Sequence, residues 1–196
     1  MNRDTLKYIG LGLIAVALLA LNVNMVYKMF FAKNRLNPDY KKPVEITNDD
    51  IRRYADSLFT QFGNKSASGG KDSLTIVDNV IESNKRIIMN KKDTIGFCYI
   101  VYEPIPCSSC SDINYILIVN RNYTINTIFF LRNIIEGNKI VPFDSLANYI
   151  ASFINKSLIT GDFSKIQTLG IFKKNTEYLK KSIIKLQKQA QLFYEK

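Results

Sequence analysis

The chain is expected to fold as an α+β protein, an antiparallel sheet packed with helices, behind an N-terminal transmembrane helix. Three observations predict this. An uncharged apolar run lies near the N-terminus, the middle of the chain carries short runs of β-branched and aromatic residues, and the stretches on either side of that middle repeat their apolar residues three and four apart.

Taken in order, residues 1–7 form a short tail and residues 8–31 match the roughly 20 apolar residues that cross a bilayer. No small-residue cleavage site follows Leu21, and apolar character resumes at Met25, so the segment reads as an uncleaved anchor rather than an export signal. Residues 32–46, with Pro38 and Pro43, read as a linker to a globular domain spanning 47–196. Thr47-Asn48-Asp49-Asp50 supplies cap residues ahead of Ile51, Tyr54, Ala55, Leu58, Phe59 and Phe62, which share one helical face up to Gly63. The Ser/Gly-rich stretch 63–73 reads as a loop.

Strands are expected at 74–81, 86–89, 95–102, 113–119 and 123–131, the last two joined by Asn120-Arg121-Asn122, whose asparagines tolerate left-handed backbone. Phe143-Asp144-Ser145 can cap a helix over 146–154. Asn175-Thr176 can cap a final one, whose stripe of Leu179, Ile183, Leu186, Ala190 and Phe193 suits docking on a sheet.

Eleven tyrosines and twelve phenylalanines argue for a packed core rather than disorder. The net charge is +10 with no histidine, which excludes Ser-His and Cys-His hydrolases. Basic residues such as Arg52, Arg53, Lys85, Arg86, Lys173, Lys174, Lys180 and Lys181 are dispersed without a reading motif. They suggest a solvated surface near anionic membrane lipid and no nucleic-acid partner.

The chemistry-bearing feature is Pro106-Cys107-Ser108-Ser109-Cys110. Such a pair can close a disulfide, supply half of a metal site, or cycle between dithiol and disulfide. Zinc wants about four ligands, and beyond the pair the chain offers Cys98 and no histidine, so no metal site is expected. Ser111 in place of histidine after the second cysteine excludes covalent haem. As a staple, so short a loop contributes only about 2 kcal/mol. A thioredoxin-like site needs a helix starting at the cysteines, whereas strand sequence follows Asp112. Cys98 reads as a buried apolar residue.

Gly96-Phe97-Cys98-Tyr99-Ile100-Val101, the CxxC, the strands 113–119 and 123–131, and Phe153-Ile154-Asn155-Lys156-Ser157 together resemble an FMN-binding domain. The domain is of the kind that carries flavin in the sodium-pumping NADH:quinone oxidoreductase and in Rnf complexes, and the resemblance covers about residues 74–193. It implies an electron-transfer role as an accessory part of a membrane redox complex, beside other subunits. It also places the domain outside the cytoplasm, against the excess of Lys and Arg after the apolar segment. The family attaches flavin to the threonine of a Ser-Gly-Ala-Thr-like loop before the last helix. Here that place reads Thr168-Leu169-Gly170-Ile171-Phe172-Lys173-Lys174, where only Gly170 agrees and Phe172 replaces the threonine. Covalent FMN is therefore not expected; non-covalent FMN is left open, with Gly170, Lys173, Lys174 and Thr176 as its binding candidates.

The resulting expectation is a single-pass cell-membrane protein whose extracytoplasmic domain acts in electron transfer or thiol redox through Cys107 and Cys110. The alternatives are a non-catalytic structural subunit with a CxxC disulfide and a thioredoxin-like oxidoreductase.

Overall fold

The structure is a computed structural model that describes residues 37–61 and 74–194. After a short 3-10 turn at Pro38–Lys41 come helix α1 (Asn48–Gln61) and five strands: β1 (Leu74–Asp78), β2 (Lys85–Asn90), β3 (Asp93–Glu103), β4 (Ile113–Asn120) and β5 (Ile125–Phe130). A two-residue hairpin, β6 (Ile135–Glu136) and β7 (Lys139–Ile140), leads to helices α2 (Phe143–Ala151) and α3 (Lys173–Tyr194).

The five strands form an antiparallel meander in the order β1-β2-β3-β4-β5. Alternation of side chains along β4 explains how both faces are covered. Tyr115, Leu117 and Val119 pack with Leu179, Ile183, Leu186 and Ala190 of α3 and with Tyr149 of α2, while Ile116 and Ile118 pack with Ile51 and Ala55 of α1. The sheet is thus a middle layer between α1 and the pair α2 and α3. The apolar stripe expected to dock α3 on the sheet does so through its first four members; the side chain of Phe193 lies outside the described residues.

Helix α1 starts in a reciprocal cap, in which Asp50 N donates to Thr47 Oγ1 (3.2 Å) and Thr47 N donates to Asp50 Oδ2 (3.1 Å). The side chains of Leu58 and Phe59, and the stretch from Phe62 to Ser73, lie outside the described residues. At the β4–β5 turn Asn120 Oδ1 accepts from Asn122 N and Thr124 N, both at 2.9 Å, but the left-handed residue is Tyr123 (φ 58°) rather than an asparagine. Residues 37–44, inside the stretch read as a linker, lie against the β3–β4 connection: Asp112 N donates to Tyr40 O, and Val44 N to Asn114 Oδ1.

The α+β expectation holds, but the expected transmembrane helix and single-pass cell-membrane location are corrected. Among the described residues no helix is long and apolar enough to cross a membrane. Helices α1 and α2, at 14 and 9 residues, are too short for the roughly 20 that a span requires, and the 22-residue α3 carries exposed lysines along one face. The stretch 8–31, where the span is expected, lies outside the described residues.

Candidate functional site

The β3–β4 connection, residues 104–112, carries the CxxC. Pro104 and Pro106 cannot donate to a strand ladder, so the chain leaves β3 as an irregular loop and re-enters the sheet at Ile113. Cys107 and Cys110 form a disulfide, with Cα atoms 5.2 Å apart. Cys110 is 1% exposed within the core under α3, whereas Cys107 is only partly buried, with Ser109 Oγ 3.5 Å from its Sγ. No helix begins at Cys107, so the positive helix end that a thioredoxin-like site uses to lower a thiol pKa is missing.

Hydrogen bonds independent of the disulfide hold the loop on two sides. On one, Asp112 Oδ1 accepts from Lys41 Nζ (2.8 Å) and Ile105 N (2.9 Å), and its Oδ2 accepts from Tyr102 OH (2.7 Å). Burial alone would push the Asp112 carboxyl up, but these three donors outweigh it and hold the group below its ordinary value. The same contact explains Tyr102, whose hydroxyl is pushed up to about 12 by desolvation and by its bond to the carboxylate.

On the other side, Ser111 N donates to Ile135 O (2.9 Å), Ile135 N donates to Ser111 Oγ (2.8 Å) and Asn138 N donates to Ser109 O (3.1 Å). The β6–β7 hairpin is therefore bonded directly to the CxxC loop. It turns at Gly137 (φ 61°) and Asn138 (φ 62°), the left-handed pair that a tight two-residue turn requires.

The same hairpin reaches α3. Glu136 Oε1 accepts from Lys174 N (3.1 Å) and Oε2 from Asn175 N (2.9 Å), while Asn175 Nδ2 donates to Ile135 O (3.0 Å). A carboxylate 38 residues away thus satisfies two of the orphan N–H groups of α3, in place of the Asn175-Thr176 cap expected from the sequence. Both residues lie inside the helix, and Thr176 Oγ1 donates to Phe172 O (2.8 Å) and accepts from Leu169 N (3.1 Å).

This geometry does not fit a flavin phosphate at α3. Lys173 and Lys174 have exposed side chains and Gly170 is exposed, but the backbone N–H groups of Lys174 and Asn175 are held by Glu136, a like charge that a phosphate would have to displace. Phe172 is 9% exposed and Thr176 2%, with its hydroxyl bonded on both sides.

Two further residues differ from their sequence reading or complete it. Cys98 is wholly buried on the α1 side of the sheet, opposite the CxxC, and burial pushes its thiol up to about 12, Arg86 opposing only in part. Lys85, read as part of a solvated basic surface, is 4% exposed. It pairs with Glu82 at 2.8 Å, donates to Tyr123 OH at 3.3 Å, and sits over the rings of Phe97, Tyr99 and Tyr123. The Glu82 spacing of three residues is visible in the sequence; the aromatic roof is not, because it comes from β3 and the left-handed Tyr123.

No metal-holding group of three or more Cys, Asp or Glu occurs among the described residues. No protein-family model matches the chain, and none of the curated proteins does.

Proposed function

We propose that this domain is a thiol–disulfide redox module, a divergent relative of the FMN-binding family, whose Cys107–Cys110 disulfide exchanges two electrons with a partner protein carrying a dithiol. The observation that carries this reading is the asymmetry of the pair: Cys107 is only partly buried, whereas Cys110 beside it is 1% exposed. What supports the resemblance is the order of elements after the CxxC, namely the β4–β5 hairpin, α2, a loop and α3, with the short β6–β7 hairpin inserted between β5 and α2.

In the forward step a partner thiolate attacks Cys107 Sγ. A mixed disulfide forms, the Cys107–Cys110 bond breaks, and Cys110 leaves as a thiolate that takes up a proton. The partner's second thiolate then attacks its own sulfur in the mixed disulfide and releases Cys107, which is protonated in turn. The domain ends as a dithiol and the partner as a disulfide. Because Asp112, Ser109 and Ser111 hold the loop without help from the sulfurs, opening the bond leaves the loop in place.

A structural staple is the second reading, and the burial of Cys110 in the core favours it, since an apolar surround disfavours a departing thiolate. Trapping separates the two. Incubated under mild oxidation with a thioredoxin variant whose resolving cysteine is replaced by serine, so that the partner cannot release itself, the Cys110→Ser variant should accumulate a mixed disulfide at Cys107 and the Cys107→Ser variant should not. Equal and negligible trapping by both variants would leave the staple.

A further inference from the structure

Beside the meander lies a cleft of about 590 Å³ that plays no part in the CxxC chemistry. One wall is β5, the last strand of the sheet; the other is α2; the β6–β7 segment closes one end. Its surface is mainly apolar, contributed among others by Ile128, Phe130, Val141, Phe143, Leu146 and Ile150. Phe143 is 81% exposed and Ile140, at the same end, 59%, so large apolar side chains stand open at its mouth. The volume falls within the roughly 300–1,000 Å³ usual for small-molecule sites.

Among the cleft's lining residues there is a single charge, the guanidinium of Arg132. Arg132 donates to the backbone carbonyl of Asp39 and has no carboxylate partner among the described residues. A guanidinium carries five donors, so most of its capacity for a planar anion is unspent.

From the apolar walls and the Arg132 guanidinium we infer that the cleft binds an amphiphilic carboxylate, its hydrocarbon chain lying between β5 and α2 and its head group on Arg132. The burial of the chain supplies affinity and the guanidinium selects the anionic head. This site is independent of the thiol chemistry: neither cysteine lines it.

The test uses the full chain and calorimetric titration with dodecanoate and with dodecanol, both below their micellar concentrations. Dodecanoate should bind saturably at one site, and more tightly than dodecanol. Arg132→Gln should weaken dodecanoate about tenfold and leave dodecanol unchanged, because it removes one charge-assisted contact. Arg132→Lys should restore most of the loss, which separates the charge from any role of Arg132 in holding Asp39. Ala147→Phe, placing a ring inside the cleft, should abolish binding of both probes while circular dichroism stays unchanged. Absence of saturable binding, equal affinity for acid and alcohol, or indifference to Arg132→Gln and Ala147→Phe would each overturn the proposal.

Discussion

Replacing Asp112 should loosen the loop that presents the disulfide, and the size of the effect follows from its three donors. The Asp112 side chain is 4% exposed and accepts from Lys41 Nζ, Ile105 N and Tyr102 OH. In Asp112→Ala, the Lys41 ammonium, 31% exposed, regains water, and Tyr102 OH keeps its 3.2 Å contact to Lys41 O, but the Ile105 N–H is stranded in a residue 3% exposed. One stranded buried donor costs about 1–3 kcal/mol, and loss of a partly screened charged contact adds about 1. The expected loss is about 3 kcal/mol, or roughly 6–12 °C in Tm for a domain of this size. Asp112→Asn keeps an acceptor for Ile105 N and should lose about half as much.

The pH dependence of this contribution has a definite sign. Asp112 titrates below its unfolded value in the folded protein, so its contribution is complete above the unfolded carboxyl pKa, about 4, and fades as pH falls through the folded one. Urea unfolding at pH 7 and at pH 2.5 is the assay. The gap between wild type and Asp112→Ala should be wide at pH 7 and narrower at pH 2.5, where a protonated carboxyl still offers Ile105 N an acceptor but no longer a charge for Lys41. A gap under about 1 kcal/mol at pH 7, or one of equal size at both pH values, would refute the reasoning.

Glu136→Ala should cost about 1–2 kcal/mol by uncapping α3, with Glu136→Gln losing less; amide exchange at Lys174 and Asn175 should rise in step with the stability loss. Cys98 should resist alkylation in the native protein up to about pH 10, because it is buried and its thiol is pushed up to about 12, and should react fully in denaturant; native labelling at pH 8 would contradict its placement.

The strands of the meander and the stripe of α3 are legible in the sequence because period-2 and period-3.6 patterns are local and the core enforces them. The β6–β7 hairpin is not, since two residues a side carry no period. Its one signal is Gly137-Asn138, a pair suited to a tight turn. Without that hairpin Glu136 is hidden as the cap of α3, and Lys173, Lys174 and Thr176 look like free phosphate contacts, although the nearby backbone donors and the Thr176 hydroxyl have partners. Cap chemistry from 38 residues away leaves no mark in a local window. The CxxC itself is legible as a candidate disulfide, whereas which sulfur is reachable depends on how the loop seats against α3 and the hairpin.

The most direct test of the redox reading is the reduction potential of the Cys107–Cys110 pair, measured in the folded protein by equilibration with glutathione or dithiothreitol buffers and mass-shift labelling of the thiols. A redox module should equilibrate reversibly without denaturant, with a potential well above about −300 mV and unchanged secondary structure in the dithiol form. A potential below about −300 mV, or a pair that can be reduced only once the domain is unfolded, would contradict the account and leave Cys107 and Cys110 as a staple of the β3–β4 loop.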